Sequence, residues 1–356
     1  MLSNRQKPRW LGIVSDFFPA WQSPSVRTFV LMFFVGFAVS LTISACSSNA
    51  NVNTANSSTA IPSPSTPTAE VRIGYQKAAT VLNALKGKGE LEKALAASGA
   101  TVKWTEFPAG PPMLEAINAG SIDFGYTGEA PPVFAQAAGT PLVYVAYEPF
   151  GPKAEAIVVH KDSPIKSVAD LKGKKVAFAK GSNTNYLVVK ALEKAGLKYT
   201  DIKPAFLTPA DARAAFEGKN VDAWAIWDPY LAVAEKAIGA RILTDATDLA
   251  PNRGYYLASK SFVETRPQQL KIVLNEVTKV SDWAKSNPSE VAKFLGSELG
   301  IDPAILEVSE KRREYGVLPM TDEIIAGQQQ IADTFQKINL IPKQINVKEI
   351  VWKDNK

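Results

Sequence analysis

Ser121-Ile122-Asp123-Phe124-Gly125-Tyr126-Thr127-Gly128-Glu129-Ala130-Pro131 and, 99 positions later, Asn220-Val221-Asp222-Ala223-Trp224-Ala225-Ile226-Trp227-Asp228-Pro229-Tyr230 carry one pattern in different residues. Each reads strand, turn, helix: an aspartate at the strand start, an acidic residue at the turn, proline just after it, then an alanine-rich helical stretch ending near a glycine. The repetition predicts two similar α/β lobes with matched ends. Ligands of open α/β sheets sit beyond the carboxyl ends of the strands, where helix N-termini point, so two such lobes facing one another make a cleft from both. That architecture binds small molecules without needing catalysis.

Working outward, the second half opens like the first. Val71-Arg72-Ile73-Gly74-Tyr75 predicts the first strand, with Gln76 and Lys77 leading to a helix that ends near Ser98. A strand at Thr101 to Glu106, a helix from Pro108 to Ala119 and a strand at Pro141 to Tyr147 surround the first copy of the repeat. Lys175-Val176-Ala177-Phe178-Ala179 then predicts a strand, and Lys180-Gly181-Ser182-Asn183-Thr184-Asn185 opens a helix to about Ala195. Two crossings between the lobes are expected. Glu148 to Pro152 leads into the extended run Ala156 to His160, and Thr247 to Asn252 leads into Gly254 to Ala258. Lys260 to Phe335 is helical by spacing, with Leu270, Val273, Leu274, Val277, Val280 and Trp283 on one stripe, and is expected to pack back across the first lobe.

The run Phe29 to Ile43 is apolar for 15 residues, follows Arg5, Lys7, Arg9 and Arg27, and precedes Ser44-Ala45-Cys46. It is short for a membrane span and reads as an export leader, with its long basic region leaving a later start codon as an alternative. Ile43-Ser44-Ala45-Cys46 resembles a bacterial lipobox, which makes Cys46 the lipidation site; a plain signal peptide is the competing reading. Ser47 to Ala69 is nearly all Ser, Asn, Thr, Ala and Pro and is expected to be a disordered tether. The expected organisation is a lipoprotein signal peptide at 1–45 and the tether at 46–69. The first part of lobe 1 follows at 70–155, lobe 2 with its crossing strand at 156–250, and the return to lobe 1 with the C-terminal helices at 251–356.

The net charge of +5 falls to +2 beyond Cys46, where 36 basic face 34 acidic residues. Nothing resembles a Lys/Arg cluster interleaved with aromatics, so nucleic acid is not an expected partner. Cys46 is the only cysteine, so no disulfide can form within the folded body and its stability must come from core burial.

Four separated motifs carry a family resemblance. They are Arg72-Ile73-Gly74-Tyr75-Gln76-Lys77, Phe107-Pro108-Ala109-Gly110 with Met113-Leu114-Glu115-Ala116, Thr208 to Phe216, and Val221 to Tyr230. In this order they resemble the aliphatic sulfonate-binding proteins of ABC importers, from about Val71 to Trp352. The resemblance implies a two-lobed type II periplasmic binding fold, each lobe a mixed sheet flanked by helices, that closes on an alkanesulfonate and delivers it to a membrane permease. Taken with the export leader and the lipobox-like tetrapeptide, the expectation is a monomer in the periplasm, anchored to the membrane by lipid at Cys46. Relatives that bind taurine, nitrate or thiamine-pyrimidine precursors leave those ligands as alternatives.

A sulfonate is a permanent monoanion with three acceptor oxygens, so its site needs convergent donors and gains from a helix N-terminus. Gly181, Ser182 and Asn183 offer backbone N–H groups and side-chain donors at one helix start, Thr127 and Gly128 at the other; Gln76 and Gly110 join them from the first lobe. Ordinary N-capping competes for Ser182 and Asn183. Asp228 before Pro229 reads as a helix cap with proline at the first helical position, with a ligand ammonium or a neighbouring side chain as the alternative partner. Glu129 stays open between the same roles. Trp227, at the strand end, is the expected apolar wall for an alkyl tail, whereas Trp224 is expected in the core. Tyr75, Phe107, Tyr126, Tyr256 and Met113 are secondary candidates.

Enzyme readings fare worse. There is no phosphate-binding Gly-rich loop with Lys-Ser/Thr, no Gly-x-Ser-x-Gly elbow and no paired histidines for a metal. A thiamine-pyrimidine synthase of this general fold needs reactive histidine and cysteine chemistry, and the single histidine, His160, falls in a strand. No catalytic residue, metal or cofactor is expected. A sensor lipoprotein that binds a sulfonate without transport is the remaining alternative.

Overall fold

Two five-stranded mixed sheets organise the chain. The computed structural model describes residues 69–353 apart from residue 150. The proposed leader, Cys46 and all but the last residue of the tether lie outside the described residues. That last residue, Ala69, belongs to the fold: the first strand starts two residues before Val71, with Ala69 paired to Ala100.

Lobe 1 runs β1 (Ala69–Tyr75), α1 (Thr80–Lys88), α2 (Glu90–Ala96), β2 (Ala100–Glu106), α3 (Gly110–Asn118), β3 (Phe124–Gly128), α4 (Ala130–Ala138) and β4 (Leu142–Glu148). The single helix expected before Ser98 is two, broken at Gly89, which adopts the left-handed conformation (φ 65°) that glycine enters without a Cβ penalty. Lobe 2 runs β5 (Glu155–Val159), β6 (Lys175–Phe178), α5 (Asn183–Lys194), β7 (Lys203–Phe206), α6 (Pro209–Glu217), β8 (Ala223–Trp227), α7 (Tyr230–Lys236) and β9 (Arg241–Asp245). The chain returns through β10 (Gly254–Ser259) and ends in α8 (Lys260–Thr265), α9 (Pro267–Ser286), α10 (Pro288–Leu299), α11 (Pro303–Glu310) and α12 (Asp322–Lys337). Proline at the start of α3, α4, α6, α9, α10 and α11 marks where each helix begins, since its missing N–H costs nothing there.

Sheet order is β2-β1-β3-β10-β4 in lobe 1 and β7-β6-β8-β5-β9 in lobe 2. The two orders are equivalent. In each, a strand arriving from the other lobe, β10 or β5, pairs antiparallel with both of its neighbours. The repeat therefore occupies the same place twice: β3 leads to α4 beside β10, and β8 leads to α7 beside β5. Strands β3 and β8 are almost wholly buried, so their sequences run apolar or small rather than alternating with polar residues.

The crossings at 149–154 and 246–253 are bonded to each other. Gly151 N–H donates to the Asn252 carbonyl at 3.2 Å, and Asn252 Nδ2 donates to the Gly151 carbonyl at 2.8 Å. The C-terminal helices depart from expectation. Helix α9 does pack on lobe 1, against α1 and α2, but α11 packs on α7 of lobe 2. Phe335 of α12 meets both Phe134 of α4, at 4.8 Å between ring centroids, and Tyr186 of α5, at 5.6 Å. An apolar stripe reports that a helix face is buried without naming the lobe that buries it.

Candidate functional site

Between the lobes lies a narrow cleft, with about 70 Å³ open to water-sized molecules. Seven of the ten residues expected to bind ligand line it: Gln76, Gly110, Gly128, Ser182, Asn183, Trp227 and Asp228. Thr127, Glu129 and Gly181 are not among the lining residues. Thr127 is buried behind the wall with its hydroxyl donating to the Gly128 carbonyl at 2.7 Å. Gly181 turns the chain in the left-handed conformation (φ 71°) and donates its N–H to Asn185 Oδ1 at 3.1 Å.

The donors arise from local structure. Gln76 extends beyond β1, and its Nε2 donates to the Tyr126 carbonyl at 2.9 Å, which fixes the amide at the cleft wall. Ser182 has extended backbone at the start of α5, but its hydroxyl donates back to the Ala179 carbonyl at 2.6 Å instead of capping the helix. The first N–H groups of α5 therefore carry no side-chain cap, which is the condition for a helix start to hold an anion. Asn183 does something else. Its Oδ1 accepts from the Ala130 N–H of lobe 1 at 3.4 Å and its Nδ2 donates to Asn252 Oδ1 at 3.0 Å, so it ties both lobes and a crossing together. Gly128 is required by that contact: a Cβ there would lie 2.0 Å from Asn183 Nδ2.

The two turn acids have different jobs. Asp228 Oδ1 accepts from the Ala232 N–H at 2.9 Å, so the carboxylate does serve the helix start, and Oδ2 lies 3.5 Å from Arg312 Nη1. Pro229 is not the first helical residue as expected; it precedes Tyr230 and is joined to Asp228 by a cis peptide bond. Glu129 is fully buried, and its Oε2 accepts from the Arg253 N–H at 2.7 Å, which docks the second crossing onto lobe 1. Burial raises the Glu129 carboxyl to about 7 in spite of backbone donors from Arg253 and Asn252. Burial likewise raises Asp228 to about 7 against the charges of Arg312 and Arg313. Behind them Glu155 is fully buried, both carboxylate oxygens lack a hydrogen-bond partner, and burial together with the charge of Glu129 holds its pKa well above the ordinary range.

Trp227 lines the cleft and Trp224 is 1% exposed in the lobe 2 core, as the strand alternation predicts. Of the secondary candidates, Tyr126 lines the cleft, whereas Met113 and Tyr256 are core. His160 stacks on Phe216 at 4.0 Å, away from the lining.

Five charged or polar lining residues were not anticipated: Glu148, Asn252, Arg253, Arg313 and Glu314. Arg313 comes from the segment after α11. Glu310-Lys311-Arg312-Arg313-Glu314 reads as a solvated charge run, and its only signal is position, between the apolar faces of α11 and α12. Among the described residues there is no cluster of His, Cys, Asp and Glu set to hold a metal.

Residues 98–291 match the NMT1/THI5-like family. A relative from Escherichia coli (strain K12), an aliphatic sulfonates-binding protein, is 46% identical over 294 residues, spanning 82% of this chain and 91% of the relative. The chain belongs to this family. Two solved structures agree. The periplasmic aliphatic sulphonate-binding protein SsuA from Escherichia coli is 45% identical with a TM-score of 0.72, over 81% of this chain and 93% of that one. The alkanesulfonate-binding protein SsuA from Xanthomonas axonopodis pv. citri, bound to MOPS, is 40% identical with a TM-score of 0.76, over 80% and 98%. The type II periplasmic binding fold expected of the sequence is the fold these family members share.

Proposed function

We propose that the chain is an extracytoplasmic solute-binding protein that captures aliphatic sulfonates in the interlobe cleft and delivers them to an ABC permease. The observation that carries the proposal is the makeup of that cleft. Uncapped helix N–H groups at α5, the Gln76 amide and the Arg313 guanidinium converge from both lobes, with Trp227 as an apolar wall. Donors on three sides suit a sulfonate's three acceptor oxygens, and an indole suits its alkyl tail. The relative bound to MOPS, itself an alkanesulfonate, supports that ligand class. Gln76, Gly110, Gly128, Ser182, Trp227 and Asp228 form the proposed contact set, with Thr127, Glu129, Gly181 and Asn183 holding the walls in place.

We read the protein as a binder and not an enzyme, a reading supported by the relatives' names, which describe binding proteins. Among the described residues no helix is long and apolar enough to cross a membrane. Attachment by lipid at Cys46 of the exported, monomeric protein is part of the same proposal, carried by the lipobox-like tetrapeptide.

Calorimetric titration of the mature chain with ethanesulfonate, a longer alkanesulfonate, taurine, nitrate and a pyrimidine precursor tests it. Micromolar or tighter binding of the simple sulfonates with nitrate silent is expected, about −8 kcal/mol at 1 μM. Binding of nitrate or the pyrimidine alone would keep the fold and overturn the ligand. Buffers must not themselves be sulfonates, or they will occupy the cleft before the titrant does.

A further inference from the structure

Arg313 and Glu148 lie side by side on one wall of the cleft in an unfinished pairing. The guanidinium side chain is only 10% exposed; Nη2 donates to the Ala78 carbonyl at 2.6 Å, Nη1 is 3.6 Å from Glu148 Oε1, and Nε is buried without a hydrogen-bond partner. Glu148 is 5% exposed, and its Oε2 is 3.4 Å from the Tyr256 hydroxyl. Both distances are long for hydrogen bonds and the buried Arg313 Nε has no partner, so the guanidinium keeps donor capacity to spare, although the charge of Glu310 also acts on it. Both residues line the cleft.

We propose that Arg313 is the cationic partner of the ligand's anionic headgroup, and that Glu148 takes a proton from solvent as the anion enters. This rests on the sulfonate reading above. The reason is electrostatic. An arriving sulfonate and the Glu148 carboxylate would share one guanidinium in a site closed to water, and two adjacent anions in such a place do not both stay charged. A sulfonate is a strong acid and keeps its charge, so the proton goes to Glu148. Once protonated, Glu148 changes from acceptor to donor and can offer its O–H to a sulfonate oxygen. The charge balance is simple: the free site with Arg313 positive and Glu148 negative becomes a liganded site with Arg313 positive, the sulfonate negative and Glu148 neutral.

The surroundings favour this exchange. Burial already raises Glu148 to about 7, with the charge of Arg313 and hydrogen bonds from Tyr126 and Tyr256 pulling down and the charge of Glu310 pushing up. Tyr126 comes from β3, Tyr256 from β10, and Glu310 and Arg313 from the end of α11 and beyond, so three separate segments bring these groups to Glu148. Asp228, with Arg312 beside it, and Glu314 are the other carboxylates of the lining.

The test is calorimetric titration of ethanesulfonate at pH 8 in phosphate and in Tris, whose ionisation heats differ. Uptake near one proton per ligand is expected, with affinity falling about tenfold per pH unit above 7. In Glu148→Gln the heats in the two buffers should coincide and the pH slope should flatten. Tyr256→Phe, which removes a donor to the charged carboxylate, should move the uptake to higher pH and serves if Glu148→Gln does not fold. Arg313→Gln should weaken binding about a hundredfold. Sulfonate binding with equal heats in both buffers overturns the proposal and leaves the sulfonate function standing; uptake that persists in Glu148→Gln and vanishes in Asp228→Asn moves the proton and overturns the assignment. No sulfonate binding at any pH overturns the function itself, and this proposal with it.

Discussion

Asp123 and Asp222 stand at the same place in the two copies of the repeat and share one task. The Asp123 N–H donates to the Arg72 carbonyl at 2.8 Å while its Oδ2 accepts from the Arg72 N–H at 2.9 Å. The Asp222 N–H donates to the Lys175 carbonyl at 2.8 Å while its Oδ2 accepts from the Lys175 N–H at 2.7 Å. Each aspartate thus clasps the start of its strand to the parallel strand beside it. Beyond that clasp they diverge. Asp123 is 1% exposed and also holds the Arg72 guanidinium at 2.6 Å and Arg266 at 2.8 Å, whereas Asp222 stays in water. The difference follows from topology: α9 of the returning chain packs on lobe 1, and Arg266, at the α8–α9 junction, comes with it. A repeat keeps what its backbone needs and varies according to what the rest of the chain lays against it.

The largest effect expected from that difference is on stability. Asp123→Ala leaves Arg72 and Arg266 without their carboxylate and opens the clasp, and should cost about 3 kcal/mol in urea denaturation. Both arginines are partly exposed, at 30% and 24% of their side chains, which keeps the cost at the low end for a broken buried pair. A loss no greater than that of Asp222→Ala would mean that the arginines contribute nothing and that the two aspartates are equivalent after all.

The turn acids sharpen the contrast within lobe 1, because Asp123 and Glu129 titrate in opposite directions. Burial pushes Asp123 up, but the hydrogen bonds from Arg72 and the charges of Arg266 and Arg72 outweigh it and hold its carboxyl below the usual value. It therefore adds stability above the ordinary carboxylate range, which is lost as pH falls through its folded pKa. Glu129 is raised to about 7, so the folded state binds the proton more tightly than the unfolded one. Its cost to stability is absent below the ordinary value, grows as pH rises through 5 to 7, and is complete near pH 8. Glu129→Gln keeps an oxygen for the Arg253 N–H and removes the charge. It should recover about 2 kcal/mol at pH 8 and nothing at pH 4.5, read as a flatter curve of stability against pH. A mutant curve parallel to the wild type would show that Glu129 is not the group that titrates.

How far the sequence reaches can be judged on these same residues. The strand-turn-helix copies, the two crossings and the two-lobed fold were legible because they are written in local pattern: prolines at helix starts, glycines at turns, apolar runs for strands buried on both faces. Seven cleft residues were legible for the same reason, since strand ends and helix starts mark where a cleft must be. Arg313 and Glu148 were not. One lies in a charge run after α11 and the other at the end of an edge strand, and neither spacing nor composition says that residues 165 positions apart share a wall. The roles of Glu129 and Asn183 were hidden too, because their partners Arg253 and Asn252 belong to a crossing whose path only the assembled fold defines. Strands β7 and β9 escaped notice as short edge strands, β7 carrying a proline that only an edge position tolerates.

The smallest effect is the one that isolates the shared clasp. Asp222→Ala removes only the bond from the Lys175 N–H, at an exposed strand start where water can take over the freed donor, and should cost about 1 kcal/mol. Asp222→Asn retains an oxygen acceptor of the same reach and should recover most of that loss, because the clasp needs a lone pair and not a charge. The corresponding Asp123→Asn should recover little, because two guanidinium partners need the charge as well as the oxygen. Paired urea midpoints of the four variants separate the terms: the clasp alone in lobe 2, the clasp with its ion pairs in lobe 1. If Asp222→Asn were as damaging as Asp222→Ala, the charge of Asp222 would matter after all, and the repeat would carry an electrostatic task in both lobes beyond the backbone one.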